Sequence, residues 1–148
     1  MERSTAVLLT AHLTATAAMA GLIWFVQIVH YPLFHRVGRE RFAAYEGDHQ
    51  RRTSWVVGPP MAVEGATAII LVFAAVPGVG RWFRVASLGM LGVVQASTLL
   101  LQVPRHGQLG EGYEEETVRR LVSSNWIRTV GWTARAVAAA TMVVLAAS

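Results

Sequence analysis

The chain has 148 residues, of which 53% are hydrophobic and only 15% charged, and its formal net charge is +4. A soluble domain of this size carries more charge, and no basic patch with interleaved exposed aromatics argues for nucleic-acid binding. The absence of cysteine excludes disulfides, thiolate metal ligands and cysteine nucleophiles.

Four apolar stretches follow one another, at about 6–34, 55–76, 82–103 and 126–147. About 20 apolar residues suffice for a helix to cross a bilayer. The predicted fold is therefore all-α: a four-transmembrane-helix bundle forming a single integral membrane domain. The first stretch is longer than the apolar core of a signal peptide and is read as a span. Toward its end Gln27, His30 and Phe34 share one helical face, and Pro32 interrupts it. In the loop that follows, Phe42, Tyr45 and His49 have helical spacing, which predicts a short interfacial helix over 39–52.

The second span opens at Trp55, with Gly58, Pro59 and Pro60 in its first turns. Glu64 lies about 13 Å deeper at 1.5 Å per residue. A tight turn at 76–80 leads into the third span, where Gln95, Thr98 and Gln102 form a polar stripe. The second long loop predicts another interfacial helix over 111–122. In the fourth span Asn125, Arg128, Trp132 and Arg135 fall on one helical face.

The two halves align at an offset of 71 residues. His35 then pairs with His106, Phe42 with Tyr113, Trp55 with Trp126, and Glu64 with Arg135. This predicts two pseudo-repeated helical hairpins related by an axis along the membrane normal. Charge at membrane depth is costly, so it faces inward and finds a partner; Glu64 and Arg135 are the expected pair. All thirteen basic residues are arginine, and most of them lie in the two long loops. Positive charge favours the cytoplasm, which puts the long loops inside and both termini outside a plasma or inner membrane.

The polar stripes converge toward the long-loop ends of the helices, so a polar cavity opening to the cytoplasm is expected. Two cations, Arg128 and Arg135, accompany one acid, and the surplus suits an anionic or enolate-like group. Gln27, Gln102, Asn125, Arg128, Trp132 and Arg135 are the candidate ligand-binding residues. His30, His49 and His106, with Glu64, are the candidates for proton transfer. The ligand class is a lipophilic molecule with a polar head, such as a quinone, an aromatic polyketide or a lipid. This reading needs no cofactor.

Two other readings stay open. His30, His35, His49 and His106 offer imidazoles to a metal ion, and His30 with His106 offers axial ligands to a haem. Alternatively the chain is a structural or accessory subunit in which Glu64 and Arg135 only fix helix register. Small-residue faces, Ala17 with Gly21 and Ala134 with Ala138, would then pack on partners or on a second copy of the chain.

The segment Val-Gln-Ile-Val-His-Tyr-Pro-Leu-Phe-His at 26–35 is followed by Arg-Arg-Thr-Ser-Trp-Val-Val-Gly-Pro-Pro-Met at 51–61 and Asn-Trp-Ile-Arg-Thr at 125–129. This pattern resembles an uncharacterised family of bacterial four-helix integral membrane proteins. More distantly, size, span count and polar helix ends resemble the anthrone-oxygenase-like small membrane proteins. That resemblance implies cofactor-independent oxidation of an aromatic, polyketide-like substrate, and it carries no catalytic residue across.

Overall fold

A computed structural model describes residues 2–148. Helix α1 (Arg3–Phe25) continues into a π-helical turn at Val26–His30 and a 3-10 segment at Pro32–Arg36. A short 3-10 turn, Arg39–Arg41, leads into α2 (Phe42–Phe73). Helix α3 (Arg81–Ser97) runs through a second π-helical turn, Thr98–Gln102, into α4 (Val103–Glu111). Helix α5 (Glu115–Ala147) ends the chain. Among the described residues, four helical stretches are long and apolar enough to cross a membrane. Helix α1 packs on α2 and α5, α3 packs on α2 and α5, and α4 lies across α2 and α5. The fold is a four-helix membrane bundle.

The burial pattern is that of a protein solvated by lipid. Trp55, Phe73, Trp82, Leu99 and Leu100 face outward, while His12, Thr16, Gln27, Glu46, Glu64, Asn125, Arg128 and Arg135 are buried. Three apolar layers stack along the bundle. Leu9, Leu71, Val76, Val79 and Met142 fill the terminal end. Met19, Ile23, Val94 and Trp132 fill the middle. Tyr31, Phe34, Phe42, Leu109, Val118 and Leu121 fill the long-loop end.

Both π-helical turns stand just ahead of a proline. Pro32 and Pro104 have no N–H, and each ring would clash with the carbonyl four residues back. The chain widens by one residue instead: Tyr31 N–H bonds to Val26 C=O, and Val103 N–H bonds to Thr98 C=O. Such turns redirect side chains and are frequent at functional sites. Here they set Gln27, His30 and Gln102.

The long loops differ from the sequence expectation. Residues 42–52 and 115–122 are not separate interfacial helices. They are the first turns of α2 and α5, helices of 32 and 33 residues. Such helices are about 50 Å long, against a hydrocarbon core of about 30 Å, so their polar starts rise beyond it. The physical reason is that helical hydrogen bonds are local. Once α2 and α5 are held by packing, their polar extensions continue the same ladder. Consequently Pro59 and Pro60 sit deep inside α2 rather than at its start. They leave the carbonyls of Trp55 and Val56 without intrahelical donors.

Two glycines are required by close approach. Gly78 turns the chain with φ of 69°, and a Cβ there would lie 2.3 Å from the Leu145 carbonyl oxygen. At Gly131, a Cβ would lie 2.4 Å from Val94 Cγ2, so this glycine sets the separation of α3 and α5. Arg84 is buried and caps α2, with Nη1 donating to Leu71 C=O at 2.8 Å and to Ala74 C=O. It satisfies carbonyls that a helix end leaves open.

Candidate functional site

Two polar groups lie inside the bundle, at different heights. The first surrounds Glu64. Arg135 Nε donates to Glu64 Oε1 at 2.8 Å, and Trp132 Nε1 donates to Oε2 at 2.8 Å. Arg135 Nη1 donates to the Ser87 carbonyl on α3. Glu64, Trp132 and Arg135 are all 0% exposed. The Thr67 hydroxyl gives its proton to backbone carbonyls of its own helix. His12 Nδ1, 2.8 Å from that hydroxyl, is therefore the donor to it. His12 is thus a buried neighbour of this network.

The second group is built by the start of α2, α4 and the π-helical end of α1. His106 Nδ1 lies 2.5 Å from Glu46 Oε1. A carboxylate only accepts, so Nδ1 carries the proton and Nε2 presents a lone pair. That lone pair lies 2.8 Å from the Tyr31 hydroxyl. Gln50 Nε2 donates to the His106 carbonyl at 2.9 Å and to Glu46 Oε1 at 3.2 Å, tying α2 to α4. His49 Nδ1 lies 2.9 Å from His30 Nε2 and 3.1 Å from Thr53 Oγ1. The rings of His49 and His106 are 5.3 Å apart, centroid to centroid.

A cavity of about 200 Å³ opens beside this group. Met19, Leu22, Ile23, Val26 and Val57 form its apolar wall. Tyr31, His49, Gln102, His106 and Arg128 form its polar wall. Arg128 is buried, lies over the Trp132 ring with 5.3 Å to its centroid, and has no carboxylate within salt-bridge distance among the described residues. Its Nε, Gln102 Oε1 and Glu46 Oε2 are buried without hydrogen-bond partners in the protein. Buried polar groups are normally satisfied; Gln102 and Arg128 both line the cavity, so their unmatched atoms mark where a polar guest would sit.

The predicted site residues therefore divide. His49, His106, Gln102 and Arg128 line the cavity, and His30 adjoins it through His49. Glu64, Arg135 and Trp132 do not line it. Glu64 bonds Arg135 and Trp132 in the middle of the bundle, and Arg135 Nη2 is buried there without a partner. Gln27 and Asn125 also do not line the cavity. Asn125 Nδ2 donates to Gln27 Oε1 at 2.9 Å, and Gln27 Nε2 donates to the Val122 carbonyl at 3.2 Å, joining α1 to α5. Interhelical amides in membranes commonly serve this purpose. His35 is set apart from the other histidines, with Nδ1 bonded to the Tyr113 hydroxyl at 2.7 Å on the exposed surface. Trp55 faces outward, as expected of an aromatic belt.

Glu46 and Tyr31 were the functional candidates that the sequence reading underweighted. Glu46 lies in what looked like a polar loop, and the signal that would have found it is its i, i+3 spacing to His49. The His49 ring neighbours both His30 and His106, with centroids 4.6 Å and 5.3 Å away.

No family model, curated protein or solved structure matches the chain.

Proposed function

We propose that the protein binds, in this cavity, a lipophilic molecule with an acidic or anionic head and moves a proton on it. The observation that carries the reading is Arg128: a buried cation on the cavity wall with no carboxylate partner, beside Tyr31 and His106. An unpaired charge in a bilayer is costly, and an anionic guest relieves that cost.

The groups suggest a specific division of work. The ligand oxygen rests against Arg128, which stabilises negative charge as it develops. Tyr31 takes the proton leaving the ligand and passes its own hydroxyl proton to His106 Nε2. Glu46 stabilises the imidazolium that results. The ligand is left as an enolate or phenolate, and return of the proton to another carbon gives an isomer. Oxidation would draw on the same enolate, with dioxygen as oxidant, as the resemblance to anthrone-oxygenase-like proteins implies. The apolar wall suits a fused aromatic ketone, a quinone or an acyl chain.

The test is exchange of the acidic C–H of anthrone for deuterium, followed by NMR, with the protein in detergent micelles. The protein is expected to accelerate exchange over empty micelles, and Tyr31→Phe or His106→Gln to lower the rate at least 100-fold, the usual scale of general acid–base contributions. Equal rates with and without protein would sink the proposal for this class of ligand.

A second reading applies to Glu64 and Arg135. The direct bond between them, with both Glu64 oxygens occupied and neither residue lining the cavity, supports the role of a pin that fixes helix register. We also propose that the long-loop end, with the cavity mouth, faces the cytoplasm and both termini face outward, as the arginine distribution favours. Arg84 does not weaken that count, because it serves as a helix cap. The protein has no cysteine, so single cysteines at Gly112 and Ser148 would report sidedness. An impermeant maleimide added to intact cells is expected to label only Ser148→Cys. The two halves, with their matching π-helical turns ahead of Pro32 and Pro104, are read as a repeat.

A further inference from the structure

We infer that Glu46, His49 and His106 form a binding site for a first-row divalent cation such as zinc, iron or manganese. One donor atom from each residue lies within 4.8 Å of the donors of the other two. Donors bound at about 2.1 Å to one ion lie at most about 4.2 Å apart, so side-chain adjustments of about 1 Å close the set. Two imidazoles and a carboxylate suit these ions.

Four observations support the assignment. Glu46 is 0% exposed, and its Oε2 is buried without a hydrogen-bond partner. His49 Nδ1 is engaged by His30 and Thr53, which leaves Nε2 as its available donor. His106 Nε2 is engaged by Tyr31, which leaves Nδ1 facing Glu46. Anchoring of the second ring nitrogen is what orients metal-binding histidines. Finally, His49 and His106 both line the cavity, so coordination positions not filled by the protein are reachable from it.

The site rests on these three residues and not on the ligand proposed above. One consequence does rest on that reading. A cation at His106 Nδ1 replaces the proton shared with Glu46 and forces the remaining ring proton onto Nε2. That nitrogen then donates to Tyr31 and can no longer accept from it. A bound cation therefore shuts off proton transfer through Tyr31.

The experiment is a Co²⁺ titration of chelator-treated, micelle-embedded protein, read by visible d–d absorption, with Zn²⁺ competition. One Co²⁺ per chain is expected, displaced by Zn²⁺. Glu46→Gln and His49→Gln should each weaken binding at least tenfold, while His35→Gln leaves it unchanged. Absence of stoichiometric binding to the wild-type protein, or affinity indifferent to both substitutions, overturns the site. Should either variant fail to fold, the Co²⁺-loaded wild-type protein decides alone. Its proton NMR spectrum must show paramagnetically shifted imidazole N–H signals, and their absence refutes histidine ligation. Anthrone exchange in the metal-free protein is measured separately, so a failed metal site and a failed ligand reading give different results.

Discussion

Glu64 and Glu46 are both fully buried glutamates on α2, and they do opposite things. Glu64 has both oxygens bonded, one to Arg135 and one to Trp132, and it does not line the cavity. Glu46 has one oxygen bonded to His106 and Gln50, the other unmatched, and a hollow lies just beyond His106. A buried charge in a membrane bundle is thus not a site by virtue of its cost. A charge whose valences are filled by neighbouring helices holds those helices together. A charge with a valence left over, next to space, is equipped to act on something else.

Breaking the mid-bundle network should give the largest effect. Glu64→Ala leaves Arg135 buried and unpaired, and a loss of about 3–5 kcal/mol is expected, as for other broken buried pairs. Replacing both partners with apolar residues, Glu64→Leu with Arg135→Met, should recover most of that loss. Denaturant titration in micelles measures both. If the double variant is as unstable as the single one, the pin reading fails.

Next in size is the close approach of α3 and α5. Gly131→Ala forces Cβ against Val94, and overpacking of this kind costs about 1–3 kcal/mol. Adding Val94→Ala should relieve part of it. Thermal unfolding would show additivity instead if the two positions were independent.

At the cavity the prediction reverses: function should suffer more than stability. Arg128→Gln removes a cation that has no carboxylate partner, so stability should change by less than about 1 kcal/mol, in the range of an ordinary hydrogen bond. Affinity for a lipophilic anion such as a long-chain naphtholate should fall about 10- to 100-fold, corresponding to a lost charge-assisted bond of about 1.5–3 kcal/mol. Calorimetry of the wild-type and variant proteins compares the two quantities. A large loss of stability with unchanged affinity would make Arg128 another structural group. Tyr31→Phe deletes one hydrogen bond to His106, at a stability cost of about 1 kcal/mol, while anthrone exchange drops at least 100-fold.

The sequence alone disclosed the lipid-facing bundle, because four apolar runs of bilayer length leave few other folds. It also disclosed the contact between Glu64 and Arg135. A charge at that depth must find its opposite, and only two charges lay equally far below matched tryptophans. The polar stripes were legible as stripes, since helical periodicity is a local property. Which stripes face a cavity was not. Gln27 and Asn125 have the same spacing signal as Gln102 and Arg128, yet α1 and α5 approach closely enough there for Asn125 Nδ2 to bond Gln27 Oε1. Glu46 was hidden for a related reason. Its neighbours Phe42 and Tyr45 announce only an interfacial face, and Glu46 is buried where α4 lies across the extended start of α2. Local hydrogen bonding and hydropathy fixed the helices. The packing between helices decided which polar groups were used up and which remained free to meet a guest.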